Sequence, residues 1–184
     1  MGAQTFATTP VHIGITGGLS LPTGDFNFAT RIGWNAGAVL RISSGLEPLA
    51  FRFDGQWQHM NGEIAESPGG DAGAYTHFRL IDITANAEYT LGFIIPPSEL
   101  YLIAGAGAYF GHTHSEDFDH TADFSKVGLN FGIGEKLEKL DERGPIPFLE
   151  LRYHYILHGS ELLNDVTSRN KPLNLFLLSV GFVF

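Results

Sequence analysis

The stretch Ile81-Asp82-Ile83-Thr84-Ala85-Asn86-Ala87-Glu88-Tyr89-Thr90-Leu91 carries an apolar residue at every odd position and a polar or charged one at every even position. A period of two sends alternate side chains to opposite faces of a β-strand, whereas a helix repeats its apolar positions every three to four residues. The stretch is also as long as the ~9–11 residues that a tilted strand needs to cross a bilayer.

The same alternation recurs in both directions. Toward the N-terminus, Leu49, Phe51, Phe53 and Trp57 alternate with Arg52, Asp54, Gln56 and Gln58. Ile32, Trp34, Ala36, Ala38, Leu40 and Ile42 alternate with Gly33, Asn35, Gly37 and Arg41, and Val11, Ile13, Ile15 and Leu19 with His12, Gly14, Thr16 and Ser20. Toward the C-terminus, Leu102, Ala104, Ala106, Ala108 and Phe110 alternate with Gly105, Gly107 and Tyr109. Leu129, Phe131 and Ile133 follow, against Gly128, Asn130, Gly132 and Gly134. Leu149, Leu151, Tyr153, Tyr155 and Leu157 alternate with Glu150, Arg152 and His154. The last segment, 172–184, is apolar on both faces, which leaves its phase open.

These segments predict eight antiparallel strands, an even number that returns the chain to the side where it began. The connections 23–30, 61–76, 111–125 and 158–171 read as long loops, and 43–48, 93–98 and 139–145 as turns. Long loops on one rim and short turns on the other are the pattern of a transmembrane barrel. All nine prolines fall at strand ends or in connections, as residues without an N–H for a sheet ladder should.

Composition narrows the function classes. The formal charge of −9 argues against a nucleic-acid partner. The absence of cysteine excludes disulfides, thiolate chemistry and Cys-based zinc sites. No apolar run approaches the ~18 residues of a transmembrane helix. Met1-Gly2-Ala3-Gln4 holds neither a basic nor an apolar signal region, so an exported protein is expected to have lost its signal peptide, with Ala3 as a cleavage-site remnant. No Walker motif, dinucleotide fingerprint or HExxH is present, and no cofactor is expected.

Alternation fits two barrels of opposite polarity. A soluble lipocalin-like ligand carrier would turn its apolar face inward, and a membrane barrel turns it outward. The outward reading is preferred because the polar face is rich in glycine, which a narrow lumen filled by large side chains requires. Aromatic residues also gather near the predicted strand ends, with Trp34, Trp57, Tyr109, Phe110 and Tyr155 toward one rim and Phe51, Tyr89 and Phe93 toward the other, as in a membrane girdle. The expected architecture is a single domain over 1–184, an all-β, eight-stranded antiparallel up-and-down transmembrane β-barrel, monomeric.

The terminal segment Leu173-Asn174-Leu175-Phe176-Leu177-Leu178-Ser179-Val180-Gly181-Phe182-Val183-Phe184 ends on phenylalanine, with apolar residues at alternate positions before it. Together with Ala104-Gly105-Ala106-Gly107-Ala108-Tyr109 and Phe148-Leu149-Glu150-Leu151-Arg152-Tyr153-His154-Tyr155, it resembles the small outer-membrane β-barrel family that includes OmpA-type and OmpX-type barrels. The resemblance covers nearly the whole chain. It implies residence in a bacterial outer membrane, contact with that membrane's lipid and lipopolysaccharide, and recognition of the strand ending at Phe184 by the outer-membrane assembly machinery. Leu175, Leu177 and Val183 would then face a drier lumen than the resemblance implies.

Three groups of residues could carry chemistry. By parity, Arg41, Arg52, Asp54, Asp82, Glu88, Glu150, Arg152 and His154 point inward, and buried charges must pair. Arg41, Arg52, Glu88 and Glu150 are expected at the centre of a salt-bridged plug; a narrow ion channel is the alternative. His112, His114 and His120 are candidates for a metal site, but their spacing matches no closed one, and a solvated acidic loop is preferred. His158 and Ser160 are similar to the lipid A deacylase family, another eight-stranded barrel. That family places its acid on the next strand, whereas this chain offers only Glu161 and Asp165 in the loop. A non-enzymatic barrel with a structural or surface-interaction role is the favoured reading, and a rim-located lipid A-modifying hydrolase the alternative.

Overall fold

Eight segments of alternating polarity form eight strands in the computed structural model, which describes residues 11–24, 30–45, 48–63, 75–93, 98–115, 120–137, 144–157 and 172–184. The strands are β1 (Val11–Thr23), β2 (Gly33–Ser43), β3 (Leu49–Glu63), β4 (Tyr75–Phe93), β5 (Glu99–Ser115), β6 (His120–Lys136), β7 (Ile146–Ile156) and β8 (Leu173–Val183). Each pairs antiparallel with its sequence neighbour, and β8 closes onto β1, so the sheet is a closed barrel with no edge strand.

The apolar parity faces outward. Ile13 and Ile83 are 64% and 59% exposed, whereas Thr16, Asp54, Asp82 and Glu150 on the opposite parity are buried. Water would not tolerate so continuous an apolar exterior, and lipid requires it. The lipocalin-like alternative, which needs the reverse parity, is therefore set aside. Tyr109 corrects the expected girdle: it is fully buried and faces the lumen, because inward positions on β5 are odd-numbered. The open phase of β8 resolves with Leu175, Leu177 and Val183 inward and Leu178, Val180 and Phe182 outward.

The expected loop 111–125 is mostly strand. β5 runs to Ser115 and β6 begins at His120, with paired positions as far as Ser115↔His120. Loop-like polarity misled here because strands that rise past the lipid can be polar on both faces. β3 to β6 have 15, 19, 17 and 17 residues, against 13 or 11 in the others, so one side of the wall is taller. Near the lower end of β4 the register shifts between Thr90 and Gly92, and Gly92 takes φ 99°, a conformation open to glycine at little cost.

Candidate functional site

Inward side chains fill the barrel in layers, because eight strands enclose a space only as wide as those side chains. β4 presents the sequence of layers most directly: Phe78 and Leu80 uppermost, then Asp82, Thr84, Asn86 and finally Glu88.

The upper layer is an apolar cap. Met60, Phe78, Leu80, Tyr109, Ile156, Leu175 and Leu177 pack together there, with Phe124 and Leu173 against them. Leucines on the inward face of β8, anomalous for a polar lumen, belong to this cap.

The middle layer is a closed ring of alternating charge. Arg52 Nε donates to Asp54 Oδ1 at 2.8 Å, and Arg52 Nη1 to Glu150 Oε2 at 2.7 Å. Arg152 Nη2 donates to Glu150 Oε1 at 2.6 Å, and Arg152 Nη1 to Asp54 Oδ2 at 3.2 Å. Two cations and two carboxylates thus close a circuit between β3 and β7, four strands apart in an eight-stranded barrel and so on opposite walls. Further donors complete it: Tyr101 Oη to Glu150 at 2.8 Å and Asn86 Nδ2 to Asp54 at 2.7 Å. Charge neutrality and near-complete hydrogen bonding offset the cost of burying four ions.

The lower layer is separate. Glu88 accepts from Arg41 Nε at 2.9 Å and from Lys136 Nζ. The expected centre of Arg41, Arg52, Glu88 and Glu150 is therefore corrected. Arg41 and Glu88 pair with Lys136 near the lower mouth, and Arg52 and Glu150 pair with Asp54 and Arg152 above them. Similar distance from a turn did not mean similar depth, because tilted strands stagger around the barrel.

Asp82 and His154 join neither cluster. Asp82 accepts from Gln58 Nε2 at 2.7 Å, and His154 Nδ1 lies 2.9 Å from the Tyr109 hydroxyl. Sequence reasoning missed Lys136, Tyr101 and Tyr109. Their inward parity was the available signal for all three, with that of Lys136 set by continuing β6 two residues past Gly134.

Glycines opposite the large side chains make the layers fit. A Cβ on Gly134 would run into the Tyr101 ring, and one on Gly128 into Tyr109. The lumen's two tyrosines each occupy space that a glycine on β6 leaves open.

His112 and His114 lie on β5, facing outward. His112 Nδ1 is 2.5 Å from Asp123 Oδ1 on β6, both exposed. His114 pairs across with His77 of β4. Among the described residues no three His, Asp or Glu side chains gather as metal ligands. His120 begins β6, but its side chain lies outside the described residues, as do His158, Ser160, Glu161 and Asp165.

No family model matches the sequence, and no curated protein matches it. Solved structures match the fold. Neisserial surface protein A, from Neisseria, is 16% identical, with 94% of this chain and 95% of that one covered, at a TM-score of 0.63. A major outer membrane protein from Thermus thermophilus is 12% identical over 95% and 99%, at 0.57. The N-terminal β-barrel domain of Pseudomonas aeruginosa OprF is 16% identical over 94% and 97%, at 0.52. At such identities the likeness concerns architecture, and in architecture this chain is a small eight-stranded outer-membrane-type barrel.

Proposed function

We propose that the chain is an integral protein of a bacterial outer membrane, a closed and plugged barrel whose role is structural or surface-interacting rather than catalytic. The observation that carries this reading is the combination of an apolar exterior with a lumen blocked twice, by the apolar cap and by the Arg52–Asp54–Arg152–Glu150 ring. Its surroundings are the lipid and lipopolysaccharide of that membrane. The strand ending at Phe184 is the segment through which the assembly machinery inserts it. The test is folding: the chain should need detergent or lipid, and should migrate differently on gels before and after heating. A monodisperse folded sample in plain buffer refutes the proposal.

One observation favours a narrow channel as the second reading. Between ring and cap, Asp82 Oδ1, Gln58 Oε1 and His154 Nε2 are buried with no hydrogen-bond partner among the described residues. Such atoms are the polar lining a conducting path would use. Planar-bilayer recording separates the two. The plug reading expects no unitary conductance from the parent protein or from Glu88→Gln, and the channel reading expects conductance that Glu88→Gln raises.

A further inference from the structure

The outward face of β3, β4 and β5 changes chemistry at one row. Trp57, Ile81 and Phe110 stand in register, one on each strand. Two residues nearer the upper rim, also in register, stand His59, Arg79 and His112. From Ile81 down to Leu91 every outward position of β4 is apolar. At about 3.3 Å per residue and a tilt near 40°, that stretch spans roughly 25 Å along the barrel axis, the height of the apolar band of such barrels. Arg79 is therefore the first charge above the hydrocarbon. It is exposed, and its side chain pairs with no carboxylate among the described residues.

The feature is one-sided. The upper outward positions of β7, β8 and β1 hold Tyr155, Phe176 and Leu21, with no cation. On β6 the same row holds Asp123, which His112 engages.

We infer that Arg79, flanked by His59 and His112, docks a phosphate of the phosphorylated glycolipid of the outer leaflet, lipid A, whose acyl chains lie down over Trp57, Ile81 and Phe110. This rests on the outer-membrane reading above. The guanidinium supplies paired donors in a fork that fits phosphate oxygens. Its level, at the boundary between apolar and polar wall, selects an amphiphile over a soluble anion. Its rim, at the end of the barrel opposite Ser43, Leu49, Phe93 and Glu99, selects the outer leaflet, where lipid A resides.

The experiment titrates the full-length chain, folded in detergent and checked by its heat-modifiable band, with bisphosphorylated lipid A, dephosphorylated lipid A or phosphatidylglycerol, and reads binding by native mass spectrometry. Bisphosphorylated lipid A should bind best. Arg79→Gln should weaken it about tenfold, the loss of one charge-assisted contact. Arg79→Lys, which keeps the charge but loses the fork, should bind more weakly than the parent and more tightly than Arg79→Gln, and Arg79→Gln should leave dephosphorylated lipid A unaffected. Equal affinity of Arg79→Gln and parent overturns the proposal, as does phosphatidylglycerol binding as tightly as lipid A. A chain that never yields the heat-modifiable band overturns the membrane reading itself, and the site with it.

Discussion

Arg52 of β3 and Glu150 of β7 meet across the full width of the barrel, guanidinium to carboxylate at 2.7 Å. Neither is near the other in sequence, and each has a second partner on its own strand, Asp54 and Arg152. Removing one member leaves the others as uncompensated buried charge. Glu150→Ala should therefore cost about 3–5 kcal/mol, read from the urea midpoint of the barrel folded in lipid vesicles. The paired replacement Arg52→Met with Glu150→Leu should cost less than either single change, because it buries no orphan. A paired variant as unstable as the sum of the singles would show that the ring stabilises by more than mutual neutralisation.

The glycine positions give a sharper contrast. Gly134→Val would drive a side chain into Tyr101 and displace its hydroxyl from Glu150, at about 1–3 kcal/mol. Gly55, on the outward face, has nothing within 4 Å of a built Cβ, so Gly55→Val should be neutral or stabilising in the same vesicles. Equal effects at the two sites would count against a tightly filled lumen.

The cap should matter for stability without acting alone as the gate. Leu80→Ala and Leu177→Ala each truncate a fully buried side chain and should lose about 2–5 kcal/mol. Neither should open a conducting path, since the charged ring remains below. Stepwise currents from either variant in planar bilayers would assign the seal to the cap.

Replacing Phe184 tests the proposed recognition of the terminal strand by the assembly machinery apart from stability. Its amide donates to the carbonyl of Ile13 at 2.8 Å, a backbone contact that any side chain keeps, and its ring is 65% exposed. Phe184→Ala should change equilibrium stability by under about 1 kcal/mol. Insertion in the presence of purified assembly machinery should slow several-fold, while unassisted insertion into thin bilayers stays near the parent rate. Unchanged assisted insertion would remove Phe184 from the recognition signal.

Strand number, antiparallel order and the polarity of the two faces were all legible in the sequence. They depend on local alternation, and a side chain's parity along a strand is a local property. Arg52, Asp54, Glu150 and Arg152 were identifiable as inward for that reason. Their partners were not. Parity says which way a side chain points, but depth depends on how far each tilted strand is staggered against the next, and stagger is a property of the closed barrel. Hence Arg41 and Glu88, placed by sequence in one centre with Arg52 and Glu150, belong with Lys136 in a lower layer. Hence also the inward leucines of β8, which contradicted a polar lumen in the sequence, make sense only once Met60, Phe78 and Ile156 from distant strands are seen beside them. The sequence by itself determined a barrel that is apolar outside and charged within. Only tertiary closure decided which charges touch, and that a hydrophobic layer seals the space above them.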